Sequence, residues 1–193
     1  MTNTQLESEL RLVTDWLLCA SSVIEDEYFR LPVADGASRF RERVYCYELY
    51  HRWRCHWVQG FRFSLCGEVD KRGSTRIRGK HLSNTTPDFL VHVPEEMTNL
   101  LVMEVKPAGA EVGRMVGDLK KLTAYRRDLV DEEDRPANYY AAHFWLYGNG
   151  PKWPRIRDRV LTEVAKDDEV DLSLIRCFVH EAAQVPAEEV SWS

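Results

Sequence analysis

Apolar positions along the chain recur with two different periods, and these predict helices that alternate with strands. Segment 5–29 repeats apolar residues every three or four positions, which is typical of a helix packed on one face. Ser38 is a candidate N-cap for a second helix. The predicted helices cover about 5–29, 38–58, 110–130 and 154–166. The predicted strands cover about 61–69, 86–93, 99–105, 139–147 and 172–179.

The central strands are nearly continuous apolar runs, which indicates a sheet that is buried on both faces. Helices precede and follow these strands along the chain, so the pattern predicts an α/β protein. We expect a three-layer α/β/α sandwich with a central mixed sheet. With 193 residues, no repeats and no Gly/Ser-rich linker, the chain is expected to form one domain over 1–193.

The net charge of −5 is unevenly distributed along the sequence. Segment 39–80 carries eleven Lys and Arg against four Asp and Glu, so it is locally basic. Because phosphate binding depends on local potential, the overall sign does not exclude a nucleic-acid partner. We expect phosphate contacts from a glycine-flanked loop in this segment, through Arg72, Arg76, Arg78 and Lys80.

Other function classes lack their motifs in this sequence. The five cysteines are odd in number and scattered, and none forms the paired spacing of a structural zinc site. Metalloprotease, serine hydrolase and phosphate-binding-loop motifs are also missing. The sequence shows neither a long apolar span nor a basic and apolar leader, so we expect a cytoplasmic protein without a membrane partner.

The chemistry of the chain is concentrated in two neighbouring predicted strands. Asp88 lies at the start of the strand around 86–93, and the next strand ends in Glu104-Val105-Lys106. Side chains alternate across a strand, so Glu104 and Lys106 point to the same face. Polar groups at the ends of apolar strands must be solvated, paired or bound to a cation.

Two carboxylates and an ammonium group in this arrangement form a compact site for a hard metal ion. Mg²⁺ takes oxygen ligands and keeps several waters, and it acidifies bound water while neutralising charge on a phosphate. The sequence therefore predicts a Mg²⁺ site at Asp88 and Glu104, with Lys106 holding the attacking water. The alternative is that Asp88 caps a loop while Glu104 and Lys106 form an ordinary surface ion pair.

Pro87-Asp88, followed sixteen residues after Asp88 by Glu104-Val105-Lys106, resembles the signature of the PD-(D/E)XK nuclease superfamily. The resemblance covers about residues 38–147, as a helix, three strands and a further helix. It implies a restriction-endonuclease-like fold and phosphodiester hydrolysis with Mg²⁺, for which Mn²⁺ can substitute. In that superfamily the Asp lies near the start of the second core strand and the Glu-x-Lys on the third.

The resemblance also implies further site residues. Members often carry a metal-binding Glu on the helix before the sheet, and here the candidate is Glu48, with Glu68 as the competing acid. RecB-like members carry Gln-x-x-x-Tyr on the helix after the third strand, where this chain has Lys121 and Tyr125. Lys121 is thus expected to contact phosphate in the reaction, although Lys120 is an equally good candidate for facing the site.

Together these features predict a metal-dependent nuclease, with DNA as the favoured substrate over RNA. The resemblance suggests a bacterial defence or repair system, a homodimer that cuts two strands, or protein partners in a multi-component system. The alternative is a catalytically silent subunit that uses a nuclease fold to bind nucleic acid or a protein partner. Divalent-metal binding distinguishes the two, because a scaffold has no need of it.

Overall fold

The computed structural model describes residues 2–32, 34, 36, 38–67, 82, 86–94, 96, 98–131, 133–148 and 152–193. Within them the α-helices are α1 (Asn3–Ser21), α2 (Asp26–Phe29), α3 (Glu42–Cys55), α4 (Val112–Arg127) and α5 (Trp153–Val164). The strands are β1 (Leu31–Pro32), β2 (Ser38–Arg39), β3 (Ser64–Gly67), β4 (Phe89–His92), β5 (Asn99–Pro107), β6 (Ala141–Tyr147), β7 (Ile175–His180) and β8 (Glu188–Val190). A short 3₁₀ turn, Leu172–Leu174, leads into β7.

Six strands form one mixed sheet in the order β3-β4-β5-β6-β7-β8. The pairs β3–β4 and β4–β5 are antiparallel, and the pairs β5–β6 and β6–β7 are parallel. The last strand, β8, is antiparallel to β7. The parallel pairs are connected through α4 and α5, as a parallel crossover requires. The predicted α/β class and the central mixed sheet are therefore confirmed.

Helices cover both faces of this sheet. Along β5, Leu101, Met103 and Val105 point into the core beneath α1 and α3, whereas Val102 joins the core beneath α4 and α5. This alternation follows from the two-residue period of a strand. Glu104 and Lys106 lie on the α4 side by the same alternation, and this places two ionisable side chains beside the apolar core of that layer.

The N-terminal helix differs from the single helix predicted for 5–29. It ends at Ser21, and only Asp26–Phe29 becomes helical again. The hydroxyls of Ser21 and Ser22 donate to backbone carbonyls three residues earlier, which competes with continued helix. The backbone carbonyl of Ile24 accepts from Gln184 N–H, so the chain is held here by its C-terminal segment.

Three further sequence expectations are corrected by the fold. Ser38 is not an N-cap, because it pairs with Pro32 in the small β1–β2 ladder, and α3 begins at Glu42. The strand β8 was not predicted, since Glu188–Val190 is short and mostly charged. Asp88 precedes β4 rather than lying within it.

In the described part of the chain, no helix is long and apolar enough to cross a membrane.

Candidate active site

The structure brings Asp88, Glu104 and Lys106 to one end of the β4–β5 pair. Phe89 pairs with Met103 in the antiparallel ladder, and extending this register by one residue puts Asp88 opposite Glu104. Directly opposed side chains on one face lie close together. The backbone N–H of Val105 donates to Asp88 Oδ2 at 2.7 Å, which fixes the Asp88 carboxylate against β5.

Glu104 is a buried carboxylate that lacks a hydrogen bond on one oxygen. Its residue surface is 2% exposed, and Oε1 has no hydrogen-bond partner among the described residues. Burial, then the charges of Asp118 and Asp88, raise the pKa of Glu104 well above its ordinary value. A carboxylate in such a position is costly unless it binds a proton or a cation.

Asp88 has a similar but milder environment. Burial is the largest cause that raises its pKa, to about 6, and the charges of Glu42 and Asp118 act in the same direction. The ammonium group of Lys106 and the hydrogen bond from Val105 oppose this increase. Near neutral pH the Asp88 carboxylate is therefore ionised and available as an oxygen ligand.

Lys106 is almost completely enclosed by acceptors. Its Nζ donates to Val105 O at 2.8 Å and lies 3.0 Å from Asp118 Oδ2 and 3.2 Å from Glu42 Oε1. Burial alone would lower the pKa of Lys106, but the surrounding carboxylates more than offset it, so this pKa is raised. Lys106 thus remains a cation and acts as a proton donor in hydrogen bonds, not as a base.

Two acids at this site were not identified from the sequence. Glu42 lies in the first turn of α3, and Asp118 lies on α4 with only 4% of its surface exposed. The sequence contains a weak signal for Asp118, which precedes Lys121 by three residues and therefore shares its helix face. Glu42 carried no such signal, because its partner Lys106 is distant in sequence.

Of the two candidate lysines on α4, only Lys121 faces the site. Its Nζ lies 2.6 Å from Asp118 Oδ1 and 3.8 Å from Glu104 Oε1. Lys120 points to the opposite side, where its Nζ lies 2.6 Å from Asp167 Oδ2. One residue turns a helix by about 100°, which is sufficient to separate the two. The structure thus separates the two alternatives that the sequence left open.

The other expected site residues lie elsewhere. The Glu48 carboxylate accepts from Arg52 Nε at 2.5 Å, one helical turn away, and no described contact joins it to Asp88 or Glu104. Sequence spacing alone already offered this (i, i+4) pair. Tyr125 is fully buried in the core against Tyr139, so its side chain is not available to nucleic acid.

Several expected residues lie outside the part of the chain that the structure describes. They are Arg72, Arg76, Arg78 and Lys80 of the basic loop and the alternative acid Glu68.

A stacked pair of tyrosines lies beside the acids. The rings of Tyr45 and Tyr147 are 3.8 Å apart and nearly parallel. Tyr45 OH accepts from Trp145 Nε1 at 2.8 Å and lies 2.7 Å from His180 Nδ1. In contrast, the buried Tyr147 hydroxyl has no hydrogen-bond partner among the described residues. Burial raises the pKa of Tyr147, and the charges of Glu42 and other neighbours add to this effect.

The oxygen donors present suit a cation bound by two protein carboxylates. Among the described residues, no group of three or more His, Cys, Asp or Glu side chains is arranged to hold a metal ion. Asp88 and Glu104 nevertheless oppose each other, and Glu104 Oε1, which has no hydrogen bond among the described residues, is an oxygen that a cation would satisfy. Mg²⁺ is commonly held by one or two carboxylates and completes its shell with water.

The interpretation as an ordinary surface ion pair does not describe this geometry. Glu104 and Lys106 are both buried, and the ion pairs of Lys106 are with Glu42 and Asp118.

No family model matches the chain, and no curated protein or solved structure is detectably similar to it.

Proposed function

We propose that the chain is a Mg²⁺-dependent nuclease of the PD-(D/E)XK type that hydrolyses phosphodiester bonds in DNA. The observation that carries the proposal is the half-buried Asp88 opposite the buried Glu104, whose Oε1 has no hydrogen-bond partner among the described residues. Lys106, two residues further along the same strand, adds the cation that the signature requires. The order of α3, β3, β4, β5 and α4 also agrees with the helix and strand order on which the resemblance rests.

Asp88 and Glu104 would hold the metal, which when bound supplies an acidified water and positive charge beside the phosphate. Lys106 remains protonated and orients the attacking water by donating a hydrogen bond. Lys121, whose side chain is one-third exposed, contacts a non-bridging phosphate oxygen. Preorganised donors of this kind stabilise the charge that develops in the transition state.

The arrangement requires Lys106 to exchange partners during the reaction. The ammonium group of Lys106 donates to Val105 O and Glu42 Oε1 and lies 3.0 Å from Asp118 Oδ2. For Lys106 to donate to the attacking water, the water oxygen must replace one of these acceptors.

The proposal is tested by incubating supercoiled and linear DNA with the chain in Mg²⁺ or Mn²⁺. Metal-dependent nicking or degradation is expected for the wild type, and it should be lost in Asp88→Asn and Lys106→Ala. Asp167→Asn is a matched control, because Asp167 pairs with Lys120 away from the site. This control should cleave like the wild type.

Isothermal titration with Mn²⁺ separates the possible failures. The proposal is supported if the wild type binds Mn²⁺ and cleaves DNA, and if Asp88→Asn loses both activities. If the wild type neither binds metal nor cleaves DNA, the nuclease assignment is wrong and the chain is better described as a silent nuclease-fold subunit. Cleavage that persists in Asp88→Asn would place the catalytic site elsewhere.

A further inference from the structure

Asp118 is a single buried carboxylate that holds two ammonium groups, one on each oxygen. Its Oδ1 lies 2.6 Å from Lys121 Nζ, and its Oδ2 lies 3.0 Å from Lys106 Nζ. The two lysines come from different elements, α4 and β5, so only the tertiary structure brings them together. The side chains of Asp118 and Lys106 are about as buried as the hydrophobic core.

Placing two ammonium groups beside the buried carboxylate of Asp118 costs folding free energy, which suggests that the arrangement serves function. Two like charges that share one small carboxylate repel each other, and a buried ion pair gains little over apolar packing. Asp118 also lies close enough to Glu104 to raise the pKa of that carboxylate. For stability alone, apolar residues in place of the whole group of buried charges would serve as well, whereas replacing Asp118 by itself would leave Lys106 buried with one partner fewer.

The geometry of the two lysines suits a phosphate group. Lys121 donates to Asp118 Oδ1, and Lys106 forms an ion pair with Oδ2, so the one carboxylate keeps both ammonium groups close to each other. A phosphodiester likewise presents two non-bridging oxygens, and two converging ammonium groups can each donate to one of them. Lys121 also lies within 3.8 Å of Glu104 Oε1, so the pair is next to the proposed metal ligands.

We propose that Asp118 is a positioning residue that holds Lys106 and Lys121 together beside the scissile phosphate, where both donate to phosphate oxygens and Lys106 also donates to the attacking water. The inference rests on the proposed function, because it names how that site recognises its substrate. Asp118 itself does not touch the substrate and does not bind the metal. It acts through the two lysines.

The test separates metal binding from phosphate binding. Mn²⁺ is titrated into the protein, and inorganic phosphate is then titrated in the presence of Mg²⁺. In Asp118→Asn, the affinity for Mn²⁺ should be retained or increased, whereas the affinity for phosphate should fall by about tenfold. In cleavage assays, kcat/KM should fall at least as far. Asp167→Asn, which removes the acid that holds Lys120, should leave all three quantities unchanged.

Two further variants keep the test decisive if Asp118→Asn folds poorly. Asp118→Glu keeps the charge but lengthens the side chain, and it should recover part of the phosphate affinity. Lys121→Gln should lower phosphate affinity by itself. The double variant Asp118→Asn/Lys121→Gln should lose less than the sum of the two single effects, because Asp118 acts through Lys121.

The outcomes distinguish this inference from the proposed function. If the wild type cleaves DNA but Asp118→Asn binds phosphate and cleaves as well as the wild type, the positioning role is wrong and the nuclease stands. If the wild type does not cleave but binds phosphate through Asp118 and both lysines, the positioning role stands without the nuclease. Equal loss of Mn²⁺ and phosphate affinity in Asp118→Asn would show a merely structural residue.

Discussion

The backbone N–H of Val105 donates to the carboxylate of Asp88 across 2.7 Å. This bond ties the residue before β4 to the middle of the Glu104-Val105-Lys106 segment. It also keeps the Asp88 carboxylate facing Glu104 and prevents it from turning toward solvent. The half-buried Asp88 and the buried Glu104 are thereby held ready for a cation, at a cost to the stability of the metal-free protein. Several measurable consequences follow from this cost.

In metal-free solution, Asp88→Asn should be more stable than the wild type at pH 7. The folded protein raises the pKa of Asp88 from 3.8 to about 6, so between these values it binds more protons than the unfolded chain. Stability therefore falls as the pH rises through this window. The expected gain in the free energy of unfolding for Asp88→Asn is about 1–3 kcal/mol at pH 7 and near zero at pH 4.

Urea unfolding in EDTA at pH 4 and pH 7 measures this difference. Asp167 is the control, because its hydrogen bond with Lys120 lowers its pKa and reverses the sign. Asp167→Asn should therefore be no more stable than the wild type at pH 7. A stability difference for Asp88→Asn that does not change with pH would contradict the raised pKa.

Binding of Mn²⁺ to the wild type should weaken as the pH falls below about 6. Protons and the metal compete for Asp88, whose pKa is raised to about 6, and for Glu104, whose pKa burial raises well above its ordinary value. Titration calorimetry across the acid range should show proton release on binding, and the amount released should increase toward low pH. Affinity that is independent of pH would exclude these two ligands.

Lys121→Ala and Lys120→Ala should differ sharply in cleavage. Lys121 lies beside Glu104, so its loss should lower kcat by about 10- to 100-fold. Lys120 is paired with Asp167 and Glu169, and removing an exposed pair of this kind changes stability little. The assay is the initial rate on linear DNA, and equal rates for the two variants would refute the assignment of Lys121.

Glu42 and Glu48 on α3 offer a second matched pair. Glu42 lies 3.2 Å from Lys106 Nζ, so Glu42→Gln should disturb this lysine and lower cleavage by about tenfold. Glu48→Gln should keep full activity and lose about 0.5–1 kcal/mol, because only its pair with Arg52 is weakened. The reverse pattern would restore Glu48 as the third acid of the site.

Removing the hydroxyl should have opposite effects in the two stacked tyrosines. Tyr147→Phe deletes a buried hydroxyl without a hydrogen bond, so stability should be unchanged or increase by about 1 kcal/mol. Tyr45→Phe leaves Trp145 Nε1 and His180 Nδ1 without their partner and should cost about 1–3 kcal/mol. Thermal melting of both variants tests this, and a larger loss for Tyr147→Phe would contradict it.

The sequence was sufficient to predict those features that arise from short-range patterns. Nearly continuous apolar runs indicated β4, β5 and β6, and the alternation of side chains along a strand put Glu104 and Lys106 on one face. The proximity of Asp88 to this pair also followed, because neighbouring strands in a sheet are often consecutive in the chain. The alternation of helices and strands was enough to predict an α/β protein with a mixed sheet.

The tertiary structure alone decided how helix faces meet the sheet. Lys120 and Lys121 are adjacent in sequence, so they point about 100° apart around the axis of α4. The packing of α4 on β5 and β6 determines which of them reaches Glu104. The same packing buries Asp118 between two lysines, and the position of α3 brings Glu42 rather than Glu48 to Lys106. These contacts join residues far apart in sequence, and their energies depend on distances that no local pattern encodes. The central strands of this protein could therefore be predicted from its sequence, whereas the partners of its buried charges could not.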